Sequence, residues 1–383
     1  MFDKIIGSET PLAWPLQFWP VIPAAFVTSV VFTLLCEKTA VKLGVVDKPD
    51  NLVKTHRKPI PYLGGVGIFL GLTAGILTAL FCLPADYPPI TRKWLLGIII
   101  AGAIACVVGC IDDIVDIRPW QKVLGQVAAG IVLVAVGITP IVFSPPWPGK
   151  LLVDTIIVMI FVLGATNSLN LLDGLDGLCA GVTIICAGGM LLLAVLMGTF
   201  KNGLQGDAVR AIVCLALLGS VCGFLLFNYH PARIFMGDAG SLLLGLIMAA
   251  LMILFAEKTP QFWLASVVIF GLPILDTAVA FARRIVNKRP LFVPDRGHIY
   301  DQMMDRGLSV RKTVGFCYGL TALYAVVGII VGLLPILAAV AVCAAVVFVS
   351  ALAVWKKGYL KMAGLRGEVP QNSTHHSAGH RID

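Results

Sequence analysis

Apolar runs long enough to cross a hydrocarbon core as helix, about 17 to 25 residues, recur near 17–36, 63–83, 94–111, 122–143, 151–169, 177–199, 209–227, 239–256, 262–282, 313–333 and 335–355. They predict eleven transmembrane helices, with ends fixed only to within several residues. No polar stretch between them exceeds about thirty residues, so no soluble domain is expected. The first run lacks a small-residue cleavage signature and reads as a retained helix. The expected fold class is all-α: a polytopic integral membrane protein with one membrane-embedded domain over 1–356. The tail over 357–383, carrying Asn372, Ser373, Thr374, His375 and His376, is expected to be polar and disordered.

Composition points the same way. A chain of 383 residues that is 58% hydrophobic and 13% charged, with mean hydropathy +0.92, cannot hide its apolar side chains inside a water-soluble globule. Its net charge of +8 would suit nucleic acid, but the basic residues crowd alternate loops. Of the 29 Lys and Arg, only Lys4, Arg92, Lys93, Lys150, Lys201, Arg210 and Lys258 fall on the other side. This is a topology signal: the basic side is cytoplasmic, the N-terminus outside and the C-terminus cytoplasmic. No nucleic-acid partner is expected, and the surrounding partner is membrane lipid. All ten cysteines lie within the apolar runs, where a thiol acts as a small hydrophobe.

Ionisable residues at the edge of a span are costly, which makes clusters of them functional candidates. Four clusters occur, all on the basic side. Asp112, Asp113 and Asp116 end the third run at helical spacing, so their carboxylates are expected to gather on one side. Asn167, Asn170, Asp173 and Asp176 follow the fifth run at steps of three. Such steps drift by about 60° on a helix, and Gly174 and Gly177 allow the chain to leave helical geometry and collect the oxygens. Between the seventh and eighth runs stand Asn228, Arg233, Phe235, Asp238 and Ser241, with a helix N-terminus suited to phosphate. Finally, the basic loop 283–312 carries Asp295, Arg296, His298, Tyr300 and Asp301. Carboxylates for a hard divalent ion, cationic donors and an aromatic face together describe a site for a nucleotide diphosphate, with Mg²⁺ favoured over zinc by the oxygen ligands.

Five motifs resemble, in order, those of the polyprenyl-phosphate N-acetylhexosamine-1-phosphate transferases of glycosyltransferase family 4, notably the undecaprenyl-phosphate α-N-acetylglucosaminyl 1-phosphate transferase branch. They are Pro61-Tyr62-Leu63-Gly64-Gly65, Asp112-Asp113, Asn167 to Gly177, Pro231 to Ser241, and Pro294-Asp295-Arg296-Gly297-His298. The resemblance implies transfer of N-acetylglucosamine-1-phosphate, or a related sugar phosphate, from a UDP-N-acetylhexosamine to undecaprenyl phosphate with release of UMP. This would occur at the cytoplasmic face of a bacterial inner membrane and start a lipid-linked envelope glycan. It implies that Asp238 and Asn170 hold Mg²⁺ (or Mn²⁺), that Asp112 and Asp113 meet the lipid phosphate, and that Asp176, Asn228 and Phe235 hold uridine. Asn167 and Asp173 would line the same pocket. Arg233 would add positive charge, His298 and Arg296 would contact phosphates and sugar, and Arg57 and Lys58 would form a basic approach. Relatives also form homodimers.

One departure stands out. Where many relatives read His-X-His-His, this chain has His298-Ile299-Tyr300-Asp301, which bears on sugar choice. A phospho-N-acetylmuramoyl-pentapeptide transferase is the alternative within the family, and a direct or a covalent route through Asp112 or Asp113 both stay open. From another class, a transporter would place polar groups near mid-membrane, with Asp276 as its main candidate.

Overall fold

The computed structural model describes residues 17–47, 59–84, 87–140, 147–200, 204–257, 259–289 and 297–360. In chain order the elements are α1 (Val21–Leu43), β1 (Val46–Asp47), β2 (Ile60–Pro61), α2 (Gly64–Cys82), α3 (Pro89–Val115), α4 (Pro119–Ala135), α5 (Lys150–Leu172), α6 (Leu178–Phe200) and α7 (Leu204–Asn228). They continue with α8 (Gly237–Ala256), α9 (Pro260–Ile269), α10 (Gly271–Val286), α11 (Ile299–Asp305), α12 (Val310–Leu333) and α13 (Ile336–Lys356). Besides the helices there is, among the described residues, one small antiparallel pair, with Val46 opposite Pro61 and Asp47 opposite Ile60.

Among the described residues, the eleven expected spans reduce to nine helices that are long and apolar enough to cross a membrane, or ten if α9 and α10, bent 68° to each other, count as one. The run at 122–143 is the one that falls short. It forms α4, only 17 residues and about 25 Å long. Gly137, at φ +90°, turns the chain so that its N–H reaches Val134 O and the Ile138 N–H reaches Leu133 O. This is a Schellman stop, placed inside a sequence that stays apolar.

The centre of the bundle is α8, in which every residue except Asp238 is buried. Glycines let its neighbours approach backbone to backbone. A Cβ on Gly65 of α2 would lie 2.1 Å from Gly240 N, one on Gly109 of α3 2.3 Å from Ala239 N, and one on Gly245 of α8 2.3 Å from Thr166 Cα of α5. Each contact sits about one helical turn from a polar site residue, so the packing of α2, α3 and α5 on α8 sets the site's dimensions. The segment before α8 also caps α2: Gly64 and Gly65 donate their N–H groups to Phe235 O at 3.0 Å and Met236 O at 2.9 Å, satisfying donors that a helix start leaves open. At the other end of the bundle, the wholly buried Arg210 of α7 donates to the carbonyl of Leu254 and, at 2.9 Å, to Glu257, closing the C-terminus of α8 with a positive charge.

Candidate active site

The ends of α3, α5 and α7 meet the starts of α4, α6 and α8 at one face. Asp113, at the end of α3, accepts the backbone N–H groups of Asp238 at 2.8 Å and Ala239 at 3.1 Å. Its carboxylate therefore caps the N-terminus of the central helix, where negative charge is favoured. Gly237, at φ +67°, makes room, since a Cβ there would come within 2.3 Å of Asp113 Oδ2. Asp112, one residue earlier, points to Lys122 instead, with Nζ to Oδ2 at 2.7 Å. Asp116 does not join them: it takes a left-handed conformation at the helix end, and its side chain is exposed.

Lys122 also donates to Asp238 Oδ2, so one ammonium bridges two carboxylates from different helices. On the far side of Asp238, Asn170 donates to Oδ1 at 2.7 Å and to Ser241 Oγ at 3.0 Å. Asp112, Lys122, Asp238, Asn170 and Ser241 thus form one connected network. From the sequence, Lys122 with Arg118 offers a pairing partner for the Asp112–Asp116 helix end, but not for Asp238. Its role depends on a contact across 116 positions of chain that no local pattern reveals.

Helix α5 runs unbroken through Leu172, so Asn167 and Asn170 differ by the 60° drift and face different ways. Asn167 turns to α4, donating to Gln126 Oε1 at 3.3 Å and to Leu163 O of its own helix at 2.7 Å, not to the Asp238 network. The chain leaves helical geometry at Asp173. Burial, followed by the charges of Asp238, Asp113 and Asp176, holds that carboxyl well above the ordinary carboxylate range. Asp176 accepts from the Ala232 N–H at 3.0 Å and pairs with His230 Nδ1 at 2.7 Å. Asn228 is buried, receiving the Gly177 N–H at 3.0 Å and donating to Ile234 O at 3.0 Å. Asp176 and Asn228 therefore bind the two loops to each other. Phe235 stands beside Tyr62, ring centres 6.2 Å apart. Arg233 is drawn the other way, to Glu37 of α1 at 2.9 Å and over the Phe227 ring at 5.4 Å.

His298 is buried, with Nδ1 2.7 Å from Asp276 Oδ2. The other oxygen of Asp276 accepts the Ile299 N–H at 2.6 Å. Tyr300 stacks on the imidazole at 5.6 Å, nearly parallel, and donates to Leu171 O at 2.9 Å. The Asp276 singled out for a transport path thus lies on α10, beyond the bend, as the partner of the site histidine. Gly174 lies directly beneath the Tyr300 ring, its ideal Cβ position 2.1 Å from the hydroxyl, so Tyr300 covers the loop that starts at Asp173. Arg57, Lys58 and Arg296 lie outside the described residues.

Residues 95–256 match the model of glycosyl transferase family 4. The chain is 34% identical over 312 residues to a probable undecaprenyl-phosphate N-acetylglucosaminyl 1-phosphate transferase of Bacillus subtilis, covering 78% of this chain and 82% of that one. It is 32% identical over 292 residues to a decaprenyl-phosphate N-acetylglucosaminephosphotransferase of Mycobacterium leprae, covering 69% and 71%. Similarity extends to a phospho-N-acetylmuramoyl-pentapeptide-transferase of Geobacillus kaustophilus, 32% identical over 302 residues, covering 72% and 85%. With a bundle of membrane-length helices, a polar network gathered at one of its faces and relatives matched over most of their length, this chain belongs to glycosyl transferase family 4.

Proposed function

We propose that the chain transfers N-acetylglucosamine-1-phosphate, or a closely related N-acetylhexosamine-1-phosphate, from the UDP-sugar to undecaprenyl phosphate. It would do so at the cytoplasmic face of a bacterial inner membrane and start a lipid-linked envelope glycan. The observation that carries the reading is the Lys122 bridge between Asp112 and Asp238 at the start of the buried helix α8. It is a compact, charge-alternating site at the end of an apolar bundle, where an anionic headgroup and a soluble pyrophosphate can meet.

The residues suit a divalent cation. Two carboxylates converge on a position already taken by a positive group, Lys122 Nζ, and Asn170 adds an amide whose oxygen and nitrogen are assigned by their partners. Among the described residues no set of three or more His, Cys, Asp or Glu forms a closed metal cage. Mg²⁺ takes one or two carboxylates and shares substrate phosphates. Asp238, Asn170 and Asp112 would hold it. When bound, Mg²⁺ or Mn²⁺ supplies charge neutralisation on the pyrophosphate.

The protein's own groups do the rest. A lipid phosphate oxygen attacks the phosphorus bearing the sugar, the bond from that phosphorus to the bridging oxygen breaks, and UMP leaves with that oxygen. The nucleophile is largely dianionic at neutral pH, since the second ionisation of a phosphate monoester lies near 6, so charge compensation outweighs proton removal. Lys122 offsets repulsion between the two anions. Asp113, engaged by the α8 amides, keeps Asp238 in place. His298 contacts the phosphates and sugar, and the Phe235 ring, tilted 50° to that of Tyr62, offers an apolar face for the base.

The test is UMP release by purified protein given undecaprenyl phosphate, each of several UDP-N-acetylhexosamines and UDP-N-acetylmuramoyl-pentapeptide, with and without chelator. Lipid- and metal-dependent release with one N-acetylhexosamine donor is expected. Release only with the muramoyl-pentapeptide donor would assign the chain to the other branch. Asp238→Asn should abolish turnover, and near-normal activity in that variant would remove the metal assignment.

A further inference from the structure

We infer that Asp276 is a positioning residue for the transfer: its carboxylate fixes the proton of His298 on Nδ1, so that Nε2 is the ring nitrogen that meets substrate. This rests on the proposed reaction for its kinetic consequences, but the arrangement stands on geometry alone.

Asp276 is 1% exposed and the His298 side chain 5%, so the pair is shielded from water. The carboxylate is doubly engaged, with Oδ2 on the imidazole at 2.7 Å and Oδ1 on the Ile299 amide at 2.6 Å. That second bond binds the start of α11 to α10 and keeps the carboxylate from rotating. An ionised carboxylate has no proton to give. The nitrogen facing it must therefore carry the hydrogen, which fixes the tautomer. Tyr300 completes the setting: it lies flat on the imidazole and is tied through its hydroxyl to Leu171, the neighbour of Asn170. The ring can neither flip nor slide without losing one of these contacts. A histidine at the first position of the motif and a tyrosine where relatives place another histidine thus have separate tasks.

The charged and titratable groups around the imidazole define the expected behaviour. Asp276 faces it from α10 and Tyr300 from α11. Arg283, two turns beyond Asp276 on α10, is wholly buried with its guanidinium against Gly297. Cys317 of α12 feels the charge of Asp276, and Asp173 lies beyond Tyr300, next to Gly174. The Asp276 carboxylate, the nearest charge, accepts a direct hydrogen bond from the ring, which favours the imidazolium form. Replacing that charge should therefore move loss of the imidazolium to lower pH. Asp276→Asn is the informative change: Oδ1 still accepts the Ile299 N–H, but the amide NH₂ now faces Nδ1 and forces the proton onto Nε2.

Two readouts separate this inference from the proposed function. The first is ¹⁵N NMR of histidine-labelled protein in lipid nanodiscs, with the His298 signals identified by their loss in His298→Gln. The wild type should show a protonated Nδ1 in the neutral ring, and Asp276→Asn should show the opposite tautomer and a midpoint below that of the wild type. Unchanged signals in Asp276→Asn would overturn the inference, and so would a neutral wild-type ring protonated on Nε2, which decides the matter should that variant not fold. The second readout is UMP release against pH. Asp276→Asn should lower kcat on the order of 100-fold and move the alkaline limb to lower pH, with KM for the UDP-sugar little changed, and Asp276→Glu should recover part of the rate. A uniform loss with the pH profile unmoved would mean a merely structural contact and would overturn it. A wild type that releases no UMP with any donor would remove the proposed function and leave the NMR result to stand by itself.

Discussion

Lys122 gives the site a counter-ion of its own, with Asp112 on one side and Asp238 on the other. Replacing it by Gln leaves two carboxylates facing each other across a partly buried gap, a loss of about 2 kcal/mol, between the values for exposed and buried pairs. Lys122→Gln should lower the thermal midpoint in chelator and regain most of it in millimolar Mg²⁺; a midpoint insensitive to both would refute the bridge. Asp173 behaves in the opposite sense. Its raised value means that the folded chain keeps a proton which the unfolded chain gives up once pH passes the ordinary carboxylate value of about 4. Stability should fall as pH rises from there towards the folded value. Asp173→Asn should flatten that slope and be at least as stable near neutrality, as read from thermal midpoints between pH 5 and 9. Polar residues at the ends of apolar runs were legible as candidates because lipid tolerates few of them. Their partners were not, since His298 finds Asp276 across 22 positions, Asp176 finds His230 across 54 and Tyr300 finds Leu171 across 129.

Among the elements, the contact of α3 on α8 is the one on which the site most depends. Gly109 has the backbone of Asp238 and Ala239 where a side chain would go, one turn from the Asp113 cap. Gly109→Ala should cost about 1–3 kcal/mol by overpacking and reduce turnover more than its stability loss explains, because it moves Asp112 and Asp113 together. A rate that tracks only the amount of folded protein would contradict this. The helices themselves follow from uninterrupted apolar runs, which is why their number was nearly readable. Two features were hidden by that same uniformity. The stop at Gly137 ends α4 within residues that remain apolar, and the bend at Phe270 divides what reads as one span into α9 and α10. Both are backbone events, and hydropathy is blind to them.

Across the whole molecule, polarity is sorted by end. The site face carries the carboxylates and Lys122, while the opposite end holds Arg210 with Glu257 and the Lys150–Asp154 pair. We propose from the crowding of basic residues in its loops that the site face is the cytoplasmic one. An alkaline phosphatase fused after Glu257 should accordingly be active and one fused at the C-terminus silent, with the reverse pattern for a fluorescent protein that folds only in the cytoplasm; the opposite result would invert the orientation. Residues just past α13 support the same face, since Gln302 and Asn287 donate to the carbonyls of Tyr359 and Leu360 and hold the start of the tail beside α11.

The burial of all of α8 but Asp238 also bears on how the protein is made. Its walls α2, α3 and α5 leave the ribosome first, so a glycine-lined socket exists before the helix that fills it. Seating that helix is also what brings Asp238 opposite Lys122 and closes the Asp113 cap. Under the proposed function, a copy in which α8 has not docked would lack Asp238 opposite Lys122, and a half-assembled chain in the bilayer would be inert towards lipid carriers instead of consuming them wastefully.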